Sequence, residues 1–309
     1  MPVNYFENIV EDCQAAFLEF VGTATFLLLA LGGIQAAAEA AGGAGGPPDV
    51  PQLMFIATSM GLGLLVSAWL FFRVTGALFN PNVSLALLLC GIIKPVRFVL
   101  YCLAQLIGAI AAAGLVRGLT SAPLASNTSL SPRTNMAQGV FIEMFITAIL
   151  VLSVLMLAAE KHETTPFAPV GIGLTLFACH LFAVFYTGAG MNTARSFGPA
   201  VVSGFPDAHH WVYWVGPFLG SLLGAVFYSL LVHYRYWALN PNQDTTDPTA
   251  SPDDPIVKAR ALAAADKSVA RHDTPLEAGG PRNSLVENRS PTSSSASPNM
   301  EKGHSANIV

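Results

Sequence analysis

Six stretches of about 20 apolar residues dominate the chain, and a helix of that length crosses a bilayer core about 30 Å thick. They cover roughly 14–36, 53–72, 96–117, 137–158, 167–187 and 211–234. Inside lipid the backbone has no water to bond, so each stretch must satisfy its own amides and carbonyls and is read as a helix. Two further apolar stretches, 80–90 and 192–202, are too short to cross at about 1.5 Å of rise per residue. Each lies between two full-length runs. They are read as re-entrant half-helices, which survive at membrane depth only where protein or a water-filled cavity surrounds them. Charge agrees with this all-α membrane class: 11% of the 309 residues are charged, where a soluble domain carries about 25%. The net charge of −4 points to no nucleic-acid partner.

The two halves of the chain repeat one pattern. Thr75-Gly76-Ala77-Leu78-Phe79-Asn80 matches Thr187-Gly188-Ala189-Gly190-Met191-Asn192, an offset of 112 positions. The same offset relates Phe55 to Phe167, Gly61 to Gly173, Tyr101 to Tyr213 and Gly108 to Gly220. Upstream, Phe17-Leu18-Glu19 matches Phe141-Ile142-Glu143 at an offset of 124, the difference falling in a longer first outer loop. Each half holds three spans and one half-helix. Three is odd, so the second half enters the membrane inverted, as in pores and carriers with a two-fold axis in the membrane plane. The half-helices then enter from opposite faces with their N-termini meeting near the middle.

An even number of spans puts both termini on one side. With the N-terminus cytoplasmic, the inner loops hold Arg73, Lys94, Arg97, Lys161 and Arg235, and the outer loops hold Arg117, Arg133 and Arg195; the positive-inside rule favours this orientation. The chain divides into a cytoplasmic segment 1–10, a membrane domain 11–239 (halves 11–120 and 135–239) and a tail 240–309. The tail is rich in Pro, Ser, Asp, Asn and Thr, and is expected to be disordered and cytoplasmic; residues 256–270 are its one stretch able to form a short helix. Residues 42–48 (Gly-Gly-Ala-Gly-Gly-Pro-Pro) read as a flexible outer loop. Asn127-Thr128-Ser129 is a sequon in an outer loop, a possible glycosylation site. Of the four cysteines, Cys90, Cys102 and Cys179 lie in apolar runs and read as small buried hydrophobes. No metal-type spacing or nucleophile–base set is visible, so an enzyme is the weakest reading and no cofactor is expected.

Polar residues inside this apolar frame are the candidate functional groups. Asn80 and Asn192 begin the half-helices, where an Asn side-chain oxygen caps the next turn and leaves its NH₂ to donate into a lumen. Pro81 suits the first helical position. Glu19 and Glu143 are acids inside spans, which is costly; backbone N–H groups of the irregular segments before the half-helices are their expected partners. Arg195 lies three residues past Asn192 and is expected to face the pore and repel cations. His180, in the fifth span, reads as pore-lining at the same outer level.

These features resemble the aquaporins, or major intrinsic proteins, over about residues 11–236. Met191-Asn192-Thr193-Ala194-Arg195-Ser196-Phe197-Gly198-Pro199-Ala200 is similar to that family's second signature, and Trp69 through Gly76 together with the hydrophilic tail resemble its fungal water channels. The resemblance implies a central constriction at Asn80 and Asn192 and an outer selectivity filter at Met60, His180, Ala189 and Arg195. Water-selective members usually carry an aromatic where this chain has Met60, and Ala189 replaces the family's mercury-sensitive cysteine. The first motif reads Asn80-Pro81-Asn82 where Ala is usual third; the second reads Asn192-Thr193-Ala194 where Pro is usual second. Asn82 either bonds across the half-helix interface or makes the centre more polar.

The resemblance also implies a homotetramer and a multi-pass protein with cytoplasmic termini, in the plasma membrane rather than an internal one. Its expected role is a passive channel for water, and for hydrogen peroxide or similar small neutral molecules, that excludes protons and ions. In the expected mechanism, carbonyls of residues 77–79 and 189–191 accept from single-file water, and His180 and Arg195 supply donors at the mouth. Within channels the alternative is a facilitator of glycerol or another small neutral solute; a non-conducting member with the channel fold is a further one. An alternating-access carrier would be expected to hold an ion or substrate site at the midplane, and no Asp or Glu lies near the asparagine pair in sequence.

Overall fold

The structure is a computed structural model that describes residues 7–42, 49–243, 245–247, 251–252, 254–257, 260–261 and 263–264. The first unit runs to residue 250 and the second unit from residue 251. Among its described residues the first unit holds eight α-helices: α1 (Ile9–Ala40), α2 (Val50–Thr75), α3 (Pro81–Leu89), α4 (Pro95–Leu119), α5 (Met136–Val154), α6 (Ala168–Thr187), α7 (Thr193–Ser203) and α8 (Val212–His233). The six long ones are long and apolar enough to cross a membrane. α3 and α7 are the two half-helices, within a residue of their expected bounds at both ends. The glycine-rich loop expected at 42–48 falls almost wholly outside the described residues. So does most of the tail, though residues 255–257 of the second unit are helical.

The repeat visible in the sequence recurs in the packing. α1 packs on α2 and α4; α5 packs on α6 and α8; α2 meets α6 between the halves. Small residues let these backbones approach, as membrane helices require. A Cβ at Gly61 would lie 3.0 Å from the Gly173 carbonyl, and one at Gly173 would lie 2.9 Å from the Gly61 carbonyl. That reciprocity places the repeat's two-fold axis between α2 and α6. Gly108 and Gly220 do the same job one layer out, against the carbonyls of Phe20 and Met144. The matched Phe17 and Phe141 both turn outward, 63% and 56% exposed, as lipid-facing side chains do.

Two features depart from the sequence expectation. The fourth span does not end as a plain α-helix: residues Leu155–Ala159 widen into one π turn. Cys179 is buried as expected, but Cys90 and Cys102 are only half-buried because their helix faces turn partly outward.

Candidate functional site

The segments that lead into α3 and α7 share one unusual backbone. Gly76 and Gly188 leave α2 and α6 in the left-handed region (φ 89° and 75°). Ala77 and Phe79 follow with φ 56° and 51°, and their counterparts Ala189 and Met191 with φ 52° and 53°. Left-handed non-glycine residues cost about 1–3 kcal/mol each and persist only where surroundings over-determine them. Here they are tied from several sides. Ala77 and Ala189 donate to the hydroxyls of Thr75 (3.1 Å) and Thr187 (3.2 Å). Glu19 accepts the Phe79 N–H. Glu143 accepts the N–H groups of Gly190 (2.9 Å) and Met191 (2.8 Å) and the Thr187 hydroxyl (2.6 Å). The two intramembrane acids therefore do hold the irregular segments, by the backbone donors expected. Tyr101 and Tyr213 complete each frame with a bond from the phenol to the Thr75 and Thr187 carbonyls, at 3.1 and 2.6 Å.

This frame delivers Asn80 and Asn192 as N-caps with matching extended backbones, φ −153° in both. Asn80 Oδ1 accepts the Asn82 N–H at 2.9 Å; Asn192 Oδ1 accepts those of Ala194 at 2.9 Å and Arg195 at 3.2 Å. The side-chain nitrogens are less free than the sequence suggested. Asn80 Nδ2 donates to the Met191 carbonyl at 2.9 Å, and Asn192 Nδ2 donates to the Phe79 carbonyl at 2.8 Å. An amide nitrogen carries two hydrogens, so each asparagine spends one on the opposite half and keeps one. The same bonds occupy a lone pair on the Phe79 and Met191 carbonyls, two of those expected to accept from passing water. Pairing across the centre is the physical reason: a buried donor without a partner is expensive. Sequence alone offers no sign of it, because the partners stand 111 and 113 positions apart.

Asn82 bonds across the interface instead of adding polarity to the bore: its Oδ1 accepts the Thr193 N–H at 2.9 Å. Met60, Asn80, Asn192 and Arg195 line one narrow cavity of about 30 Å³, with Phe26, Leu150 and Ile172 among its apolar walls. That exceeds the 10–15 Å³ or so that a single water needs and is far below the roughly 300 Å³ of a small-molecule pocket. His180 and Ala189 are fully buried but are not among the residues lining that cavity. His180 Nδ1 lies 2.9 Å from the Leu176 carbonyl. A carbonyl only accepts, so Nδ1 carries the proton of that bond, and Nε2 has no partner among the described residues.

Arg195 reaches the Ser126 carbonyl with one guanidinium nitrogen at 2.9 Å, and its Nε has no partner among the described residues. The loop carrying Ser126 is itself held from α1. Gln35 donates to the Pro123 carbonyl (3.1 Å) and accepts the Ala125 N–H (2.8 Å), and Glu39 holds the Gln35 amide (2.9 Å). Gln35 was missed from sequence, as was Gln105, which bonds Glu19 at 2.9 Å and Ser84 at 3.0 Å. The available signal was a long polar residue inside an apolar span, the same that drew attention to the two acids. Asn127, the sequon asparagine, uses one hydrogen of its amide nitrogen on the Ser203 hydroxyl at 3.0 Å and keeps a second.

A family model described as "Major intrinsic protein" matches residues 8–228. The chain belongs to the major intrinsic protein family. It is an aquaporin-type membrane channel, and its relatives agree. An aquaporin of Laccaria bicolor is 68% identical over 84% of this chain and 84% of its own length. Aquaporin-1 of Laccaria bicolor is 67% identical over the same shares. Among solved structures, the aquaglyceroporin from Plasmodium falciparum superposes with a TM-score of 0.61 at 20% identity, covering 76% of this chain and 98% of that one; at that identity the likeness speaks for the aquaporin fold alone.

Proposed function

We propose that this channel conducts water in single file, admits hydrogen peroxide or similar small neutral molecules, and excludes protons and ions. The observation that carries the reading is the bore of about 30 Å³, with Asn80 and Asn192 at one level and Met60 and Arg195 in the same wall. The N-termini of α3 and α7 bring about half an elementary positive charge each to the asparagine level. That field opposes protons and other cations, and the one free hydrogen on each asparagine orients a passing water oxygen. Arg195 repeats the barrier nearer the outer mouth. The protein works as a homotetramer in the plasma membrane, with both termini and the tail 240–309 in the cytoplasm.

Met60 favours a second reading, in which glycerol or another small neutral solute also passes, because a thioether chain is slimmer and more pliable than an aromatic ring. Stopped-flow shrinkage of liposomes holding the purified protein separates the two. Water permeability well above that of empty liposomes, with glycerol permeability at their level, is the expected result. Water permeability equal to that of empty liposomes would sink the channel reading and leave a non-conducting member. Replacing His180 with Gly widens the mouth and raises glycerol flux if His180 bounds it; unchanged flux would remove His180 from the filter.

A further inference from the structure

The two half-helices open on different triplets. α3 begins Asn80-Pro81-Asn82 and α7 begins Asn192-Thr193-Ala194. The first position of any helix carries an N–H that has no partner within the helix. Pro81 has no such hydrogen. Thr193 has one, in a residue only 4% exposed. Its own cap cannot serve it, since Asn192 Oδ1 already accepts from Ala194 and Arg195.

The acceptor comes from the other half. Asn82 Oδ1 takes the Thr193 N–H at 2.9 Å, and the Thr193 hydroxyl sits between that same oxygen at 3.0 Å and the Tyr213 carbonyl at 3.1 Å. On the far side, Ser221 Oγ donates to the Asn82 carbonyl at 2.8 Å, fixing the Asn82 backbone from α8. The position of α7 that corresponds to Asn82 is Ala194, which has no such side chain. What is unusual in each triplet therefore answers what is unusual in the other, across 111 positions of chain.

We propose that Asn82 and Thr193 act as one positioning unit, which sets how closely α3 and α7 meet and so where Asn80 and Asn192 stand, and that each residue is tolerated only with the other. A proline at 193 facing an alanine at 82 is an equivalent solution that has no hydrogen to satisfy and no acceptor to supply. The mixed pairs are not: alanine at 82 strands the Thr193 N–H, and proline at 193 strands the Asn82 oxygen. The unit rests on the reading of Asn80 and Asn192 as the central constriction.

The test compares wild type with N82A, T193P and N82A/T193P. Purified protein in detergent gives a thermal midpoint; proteoliposomes give water permeability and, with an internal pH dye, proton leak. The N82A variant is expected to lose about tenfold in water permeability per protein, the scale of one stranded buried donor, and to raise the proton-to-water ratio. T193P is expected to lose less. The double variant should return to the wild-type midpoint and to within about twofold of wild type in permeability and ratio, a coupling of the kind adjacent partners show. A merely structural role would move midpoint and yield without moving the proton-to-water ratio of the protein that inserts.

A double variant whose loss equals the product of the single losses, or one that does not fold, overturns the proposal; so does an N82A variant that behaves as wild type. Should N82A yield no folded protein, T193V decides, because it keeps the N–H and loses the hydroxyl. Near wild-type behaviour for T193V beside impaired T193P is expected, and the opposite order overturns the proposal. Absence of water flux from the wild type would refute the channel reading itself, leaving the midpoints to judge the coupling alone.

Discussion

Glu19 and Glu143 occupy matched places in the two halves, yet they hold their loops differently. Glu143 receives three donors from the segment it supports, spread over both oxygens. Glu19 receives one loop donor, the Phe79 N–H; Thr75 and the Leu78 N–H approach it, and its Oε2 has no partner among the described residues. The first half makes up the difference from α4. Gln105 ties Glu19 to Ser84 on the half-helix, and the position matching Gln105 in the second half is Pro217. Ser196, matching Ser84, correspondingly has no hydroxyl partner among the described residues. One half concentrates its support in a single carboxylate and the other shares it among three side chains. A duplicated backbone can thus keep its conformation while the bonds that enforce it drift apart.

Truncating the acids gives the largest effect and the sharpest test of that contrast. Glu143→Ala strands three buried donors at about 1–3 kcal/mol each, so little folded protein is expected. Glu19→Ala should fold less stably than wild type but better than Glu143→Ala, by thermal midpoint in detergent. Equal losses would break the comparison. Next in size is Gln105→Ala, with an expected loss of about 1 kcal/mol. A midpoint unchanged in that variant would mean that Glu19 stands alone after all.

Tyr213→Phe and Tyr101→Phe remove matched phenols at about 0.5–1.5 kcal/mol each. The larger cost is expected at Tyr213, whose bond is 2.6 Å against 3.1 Å; the reverse order would place the tighter frame in the first half. The smallest effect belongs to the loop between α7 and α8. Burial, offset in part by the Asp207 carboxylate, holds His210 below its ordinary value of 6.5. The neutral ring is therefore favoured by folding. Its contribution is complete above about pH 6.5 and is lost as pH falls from there toward the lowered folded value. The thermal midpoint should drop slightly on acidification from pH 7.5 to 5.5, and His210→Phe should flatten that drop. An identical drop in the variant would remove His210 as its source.

Much of this architecture was legible in the sequence because bilayer thickness converts run length directly into spans and half-spans. The repeat was legible for a similar reason: Gly61, Gly108 and their partners must be small to let backbones meet, so the offset of 112 survived where packing forbids change. Glu19 and Glu143 pointed to their partners because an intramembrane acid needs donors, and the irregular segments are where free N–H groups lie. What escaped prediction was pairing across the centre. The Asn80 and Asn192 amides join residues whose proximity exists only once the halves have closed; a bond from Asn82 across the interface was one of two alternatives legible in the sequence, but its partner Thr193 was not. The π turn at Leu155–Ala159 also escaped, since nothing in that apolar run distinguishes it from plain helix.

The crossed bonds from Asn80 to the Met191 carbonyl and from Asn192 to the Phe79 carbonyl have a consequence in time as well as in space. A ribosome adds about 5–20 residues per second. Some 111 residues separate Asn80 from its partner, so the first half-helix waits roughly 5–20 s in the translocation machinery before the carbonyl that completes it is made. During that interval neither asparagine has its mate, and no finished passage exists for anything to cross. The frame that holds Asn80 and Asn192 together is finished only when the second half arrives.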